Sequence, residues 1–300
     1  MAGKLWPGLI LLALILVLLI GFAVLNRGGP EALPDQPSSN RYPINRQVHW
    51  ELTVRNQTAQ AFRDVEVFSF LPFPETWQQQ LLSVEANHAI EQQLDSPDQP
   101  VARVLLESVP PYGQRHIRFV ANLAMADHFD NQEQTSTDRW LMPEPLIESD
   151  HQQVTRLATQ LKQDDELQTA RAIYDWLLAE ITYSGYDPID RGALFALAER
   201  KGDCTEYAAL AVALARANAI PARLVNGYVV QNDGRLSPFA FHAWAELLVN
   251  ERWLIVDAQQ EHFDPAPEHY LATHYATSQA RTLPWTRFFS PQPELIIEMR

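Results

Sequence analysis

The chain of 300 residues contains one cysteine, in the run Lys201-Gly202-Asp203-Cys204-Thr205-Glu206, immediately ahead of a long and almost wholly apolar helical stretch. A histidine follows in Phe241-His242-Ala243-Trp244 and an aspartate in Trp253-Leu254-Ile255-Val256-Asp257. A sulfur, an imidazole and a carboxylate in that order can form an activated thiol nucleophile, in which the ring takes and returns a proton and the carboxylate orients the ring. A free thiol has a reference pKa of about 8.5 and is mostly protonated near neutral pH. Two features favour the thiolate. Cys204 falls in the first turn of its helix, where unpaired N–H groups and the helix dipole stabilise negative charge, and His242 can pair with it.

The geometry of His242 and Asp257 depends on one turn. If Val249 to Arg252 closes an even-membered hairpin, Trp244 falls opposite Asp257, and His242 and Asp257 become diagonal neighbours on one face. Their backbones would then lie roughly 7 Å apart, within reach of a side-chain hydrogen bond. An odd loop would place them on opposite faces.

The elements that position these residues read as follows. Asp203 is an N-cap for the helix that starts at Cys204, and Lys201-Gly202 ends a short helix over Gly192 to Glu199. Alanines at 208, 209, 211, 213, 215 and 217 let the thiol-bearing helix lie close against a sheet. Strand-like runs cover Arg223 to Val230, Ala240 to Val249 and Trp253 to Asp257. Upstream, Ser149 with Gln152 forms a capping-box pair for one helix, and Asp164 or Asp165 caps a second that carries Ala170, Ile173, Trp176, Leu177 and Ile181. Between residues 41 and 125, Val48, Trp50, Leu52 and Val54 alternate with polar neighbours. Short runs at Val65 to Phe70, Val101 to Leu106 and Arg115 to Ala121 complete the pattern of a small β-sandwich. Asn56-Gln57-Thr58 fits a glycosylation acceptor, but an ordinary turn after a strand is the preferred reading.

Length predicts more than one folded unit after a leader. The expected organisation is an N-terminal transmembrane signal anchor at 1–25, a flexible linker at 26–40, the β-sandwich at 41–125, a connector at 126–148 and a catalytic domain at 149–300. Leu5 to Leu25 is uncharged and apolar, long enough to cross the ~30 Å hydrocarbon layer. Gly21-Phe22-Ala23 also resembles a signal-peptide cleavage site, but the run of apolar residues favours an anchor. The expectation is a protein held in the membrane by that single helix, with its catalytic domain extracytoplasmic. A lone cysteine on an exported chain is a candidate reactive thiol.

A formal charge of -14 and a pI near 5.0 leave no basic surface for phosphates, which argues against nucleic-acid partners. His262, Asp264, Glu268, His269 and His274 invite a metal reading, but His269 and His274 are five apart and no second cluster completes a tetrahedron. No metal and no cofactor is expected.

The run Gly202-Asp203-Cys204-Thr205-Glu206-Tyr207-Ala208, then Ile220-Pro221-Ala222-Arg223 and Gly227-Tyr228, then His242-Ala243-Trp244-Ala245-Glu246, then Trp253 with Asp257, resembles the transglutaminase-like superfamily of cysteine enzymes. Matching blocks extend from about Asp150 to Gln259. The upstream stretch, Val65-Glu66-Val67 leading to Leu71-Pro72-Phe73-Pro74, is similar to the domain preceding bacterial members. The resemblance implies an α+β, papain/transglutaminase-like domain with the thiol on a helix N-terminus packed against an antiparallel sheet bearing the other two groups. It implies Cys204 as nucleophile, His242 as general base and then acid, and Asp257 as its orienter. The expected reaction is cleavage or transfer of acyl groups from peptide or protein amides through a thioester. The alternative is a catalytically silent binding or scaffold module. Relatives supply an oxyanion donor from the region of Trp176 and Tyr183, although both residues read here as core packing. The sequence departs from the family at Ala258-Gln259, where proline usually follows the aspartate, and at Ala219, where glycine usually precedes Ile-Pro.

Overall fold

The computed structural model describes residues 41–93, 99–129, 137–276 and 287–300, and residues 41–300 form one compact unit. The expected span at 1–25 and linker at 26–40 lie outside the described residues. Among the described residues no helix is long and apolar enough to cross a membrane. The longest has 15 residues, about 22 Å at 1.5 Å per residue, short of a ~30 Å hydrocarbon layer. The expectation of a membrane-anchored, extracytoplasmic protein is corrected accordingly.

The strands, in chain order, are β1 (Ile44–Asn56), β2 (Phe62–Phe70), β3 (Gln79–Ala86), β4 (Ile90–Gln93), β5 (Val101–Val109), β6 (Gln114–Met125), β7 (Thr182–Tyr183), β8 (Lys201–Gly202), β9 (Ala222–Val229), β10 (Gly234–Arg235), β11 (Phe241–Val249), β12 (Arg252–Asp257), β13 (His262–Phe263), β14 (Tyr270–Tyr275), β15 (Phe288–Phe289) and β16 (Leu295–Met299). The helices are α1 (Gln152–Leu161), α2 (Glu166–Glu180), α3 (Gly192–Glu199) and α4 (Cys204–Ala217).

Two sheets build the N-terminal part, one in the order β10-β1-β6-β3 with β16 also on β1, the other β15-β2-β5-β4. The alternation read along β1 is real: Val48, Trp50, Leu52 and Val54 are buried and meet Val65 and Val67 of β2, Val104 and Leu106 of β5 and Phe119 of β6 in one core. Trp50 stacks on Phe119 with ring centroids 4.7 Å apart. Asn56 is a turn former: its Oδ1 accepts from the Thr58 N–H at 2.9 Å, and its amide donates to Gln60 and Pro110 carbonyls. The chain's end returns here, since β15 pairs with β2 and β16 with β1. Residues 287–300, placed by sequence with the catalytic domain, thus share hydrogen bonds with the N-terminal sheets. A five-residue strand carries no local signal of which distant edge it will complete.

The third sheet has the order β13-β12-β11-β9-β14, antiparallel throughout. Helix α4 lies on it, with Tyr207 to Arg216 all buried. Its alanines and Leu210, Val212 and Leu214 join Leu224, Leu247, Leu254 and Val256 of the sheet in the second core. Gly227 of β9 permits the closest approach: a Cβ there would lie 2.0 Å from the Leu271 carbonyl oxygen and 2.8 Å from the Trp244 ring. Helices α1 and α2 pack on the same core. Asp165 caps α2, its carboxylate accepting from Gln168 N–H at 2.8 Å. The expected capping pair of Ser149 and Gln152 is not used. Instead α1 begins at Gln152, and the His151 ring accepts from Gln153 N–H. Ala219 holds φ +62° in the turn after α4, a left-handed conformation that explains why relatives favour glycine there.

Candidate active site

Cys204 is the first residue of α4 and is partly exposed. The local sequence fixes this start twice over. Asp203 Oδ1 accepts from Thr205 N–H at 2.8 Å, and Glu206 Oε2 reaches back to accept from Asp203 N–H at 3.0 Å, a reciprocal capping box. The remaining oxygens tie down the preceding loop: Asp203 Oδ2 accepts from Asp187 N–H at 3.1 Å and Glu206 Oε1 from Arg191 N–H at 2.9 Å. Gly202 makes room for this, because a Cβ there would lie 2.3 Å from Glu206 Cβ. The N–H of Cys204, at the first helical position, has no acceptor a turn earlier in its own helix.

The hairpin of β11 and β12 carries the other two groups. Val249 pairs with Arg252 and Ala245 with Val256, so the two-residue turn at Asn250 and Glu251 is even-membered. Both turn residues have positive φ, 50° and 62°, as hairpins that follow the strand twist require. One step further along that register, Trp244 falls opposite Asp257, and His242 and Asp257 share a face. His242 Nε2 lies 2.7 Å from Asp257 Oδ2, with both residues buried. That bond leaves Nδ1 of the ring for Cys204. Burial works hardest on His242 and pushes it down, but hydrogen bonds to Asp257 and to Cys204, with the charges of both, push it up to about 10. The imidazole is therefore held protonated between a carboxylate and the sulfur.

Asp257 is held by three donors. Its Oδ2 also accepts from Tyr270 Oη at 2.9 Å, and its Oδ1 from Gln260 N–H at 3.2 Å at the head of the turn Ala258–Gln260. The aspartate therefore caps the turn that follows it, so the strand end stays fixed although Ala258 stands where proline is usual.

The surroundings contain groups that sequence reasoning missed. Tyr270 is fully buried and belongs to β14, on the opposite side of the sheet order from β12. Asp190, just before α3, is pushed up to about 6, chiefly by burial and then by the charge of Asp203, with the Thr205 hydroxyl opposing. Glu206 is also raised, again chiefly by burial. The capping box was readable as aspartate followed three residues later by glutamate. Tyr270 and Asp190 left no such signal, because their partners are remote in sequence. Tyr183 needs correction: it is 51% exposed, and its hydroxyl is raised by partial burial and then by the charge of Cys204, so it stands beside the thiol and outside the core. Trp176 packs against the core, beneath the Arg200 guanidinium at 4.6 Å. The histidines of the metal reading are dispersed: His262 bonds Tyr270 Oη at 2.8 Å, His274 is buried against the Phe70 ring, and Asp264 pairs with Arg252.

A partly exposed thiol at a helix start, facing a buried imidazole and carboxylate on an antiparallel sheet, defines a transglutaminase-like domain. Residues 154–258 match the family model of the transglutaminase-like superfamily, and this segment has the mixed α+β fold of a transglutaminase-like domain. The match runs from α1 to the residue after Asp257 and includes all three groups. Among solved structures, a candidate cysteine protease from Cytophaga hutchinsonii is 19% identical, with a TM-score of 0.56 over 86% of this chain and 92% of its own. At that identity the two share a fold. The periplasmic domain of TgpA from Pseudomonas aeruginosa is 18% identical over 74% of this chain and 93% of its own, with a TM-score of 0.38. No curated protein matches the chain.

Proposed function

We propose that the protein is a cysteine-dependent amidase or acyltransferase acting on peptide or protein amides, with Cys204 as nucleophile, His242 as proton carrier and Asp257 as its anchor. The observation that carries this reading is the 2.7 Å bond between His242 and Asp257, with the imidazole raised by hydrogen bonds on both sides against the pull of its burial. A buried histidine with no anionic partner would lose its charge.

The cycle begins with the Cys204 thiolate attacking the amide carbon. The C–S bond forms, and the carbonyl oxygen takes the electron pair, facing the Cys204 N–H at the helix start. A donor of this kind contributes roughly 3 kcal/mol to the barrier. Collapse breaks the C–N bond as His242 gives its proton to the departing amine, leaving a thioester and a neutral ring. Water then attacks the thioester and loses its proton to His242. The C–S bond breaks, releasing a carboxylic acid and restoring the thiolate and imidazolium. A second amine in place of water gives transamidation with the same residues. Hydrolysis is the favoured outcome, because water needs no binding site of its own.

The test is intact mass measurement of protein mixed with activated peptide esters and amides. An acyl adduct on Cys204, absent from Cys204→Ala, is expected. If wild type and Cys204→Ala remain equally unmodified across a broad peptide set, the reading fails. Incorporation of a labelled amine beyond the amount of amide cleaved would move it from hydrolase to transferase.

A further inference from the structure

Resting on the proposed function, we infer that Tyr270 is a positioning residue for the reaction and that, together with His262, it extends the row of Cys204, His242 and Asp257 to the protein surface. The hydrogen-bond inventory fixes the direction of this extension. Asp257 Oδ2 can only accept, so the single Tyr270 proton goes to it, across 2.9 Å. The Tyr270 oxygen is then the acceptor at its other contact, and His262 Nδ1, 2.8 Å away, must bring the proton. His262 is therefore held with hydrogen on Nδ1, and donors run one way: His262 to Tyr270, Tyr270 to Asp257.

Both Tyr270 and His242 donate to the same carboxylate oxygen. A hydroxyl donating there draws charge from Asp257 and weakens its hold on the imidazole proton. That balance matters for a ring that must surrender its proton to the leaving amine and recover one from water. The tyrosine is also locked in place. Its ring meets Trp244 edge-on at 5.1 Å, and its carbonyl accepts from Gln78 Nε2 at 2.6 Å. Two residues on, the Gln79 side chain pairs with both the N–H and the carbonyl of Ala272, at 2.8 and 3.0 Å. The segment that positions Tyr270 thus lies at the start of β3, in the N-terminal part of the chain. Other titratable groups near this row are Tyr183, beside Cys204, and Tyr174, Arg171 and Asp175 of α2 with Glu261, Tyr174 being raised chiefly by burial. None of them bonds Asp257 among the hydrogen bonds described.

The test is an NMR titration of the His242 ring in 15N-histidine-labelled protein, run beside peptide turnover. In Tyr270→Phe, which keeps the ring packing, the His242 midpoint should move up from its wild-type value. kcat/KM should fall on the order of tenfold, the size of one hydrogen bond to a charged group, with its pH limb shifted in the same direction. His262→Ala should shift both in the same sense by less, and His262→Asn, which retains an N–H donor, should recover the wild-type midpoint. Because His262 is exposed, its variants keep the inference testable even if Tyr270→Phe folds poorly. An unmoved midpoint in Tyr270→Phe and His262→Ala, in protein whose wild type still forms the thioester, overturns the inference alone. Absence of the thioester in wild type overturns the proposed function instead, and the titration then still reads whether Tyr270 tunes the His242–Asp257 pair.

Discussion

At the scale of single residues, the acidic groups crowded beneath the thiol are the unexpected feature. Asp203 and Glu206 spend their oxygens on backbone N–H groups, which suits the positive end of a helix. Asp190 is different, since burial raises it from 3.8 to about 6. The folded state therefore holds this proton more tightly than the unfolded state. Ionising the group costs stability as pH rises from 3.8 to about 6, and the full cost persists above that. Asp190→Asn, which keeps an acceptor for the Thr205 hydroxyl, should raise the melting temperature at pH 7, and the gain should vanish by pH 4. An equal effect at both pH values would mean that the charge is not what burial penalises. Cys204, His242 and Asp257 stood out as candidates from residue type, order and the hairpin that carries two of them, and His242 and Asp257 meet at 2.7 Å. Asp190 and Tyr270 did not stand out, because a loop aspartate and a strand tyrosine look ordinary in sequence until distant partners meet them.

At the scale of elements, the hairpin was the decisive inference. Whether His242 and Asp257 share a face depended only on the parity of the turn, and the pairing of Val249 with Arg252 settles it. The start of α4 at Cys204 was equally readable, from Asp203 as cap. The strands Gln79–Ala86 and Ile90–Gln93 were not, because their burial follows no clean alternation and their pairing is set by neighbours far along the chain. The central sheet has one position with no tolerance: at Gly227 a methyl group would collide with the backbone of β14, and β14 carries Tyr270. Gly227→Ala should destabilise the protein by about 3 kcal/mol, at the upper end for overpacking, as read by denaturant midpoint. It should lower turnover beyond the loss of folded protein. A midpoint within experimental error of wild type would show that β9 and β14 can separate without cost.

At the scale of the whole molecule, the N-terminal sheets and the thiol-bearing layer are sewn together more closely than sequence suggested. The last described strand pairs with the first, β10 joins β1 in that same sheet, and the Gln78 and Gln79 side chains hold β14. The boundary near residue 125 marked a change from strands to helices, and composition could not show how much the two parts would share. Three groups spread over more than fifty residues become neighbours only in this assembled form. Since the chain has one cysteine, their meeting can be read from a single thiol. The most direct measurement is the rate at which iodoacetamide alkylates Cys204 at pH 6, where a free thiol with its reference pKa of about 8.5 is less than ~1% ionised. Wild type should react at least about tenfold faster than a free thiol at that pH, and His242→Ala and Asp257→Asn should lose most of that advantage. A wild-type rate equal to that of the free thiol, unchanged in both variants, would contradict the coupling of the three groups.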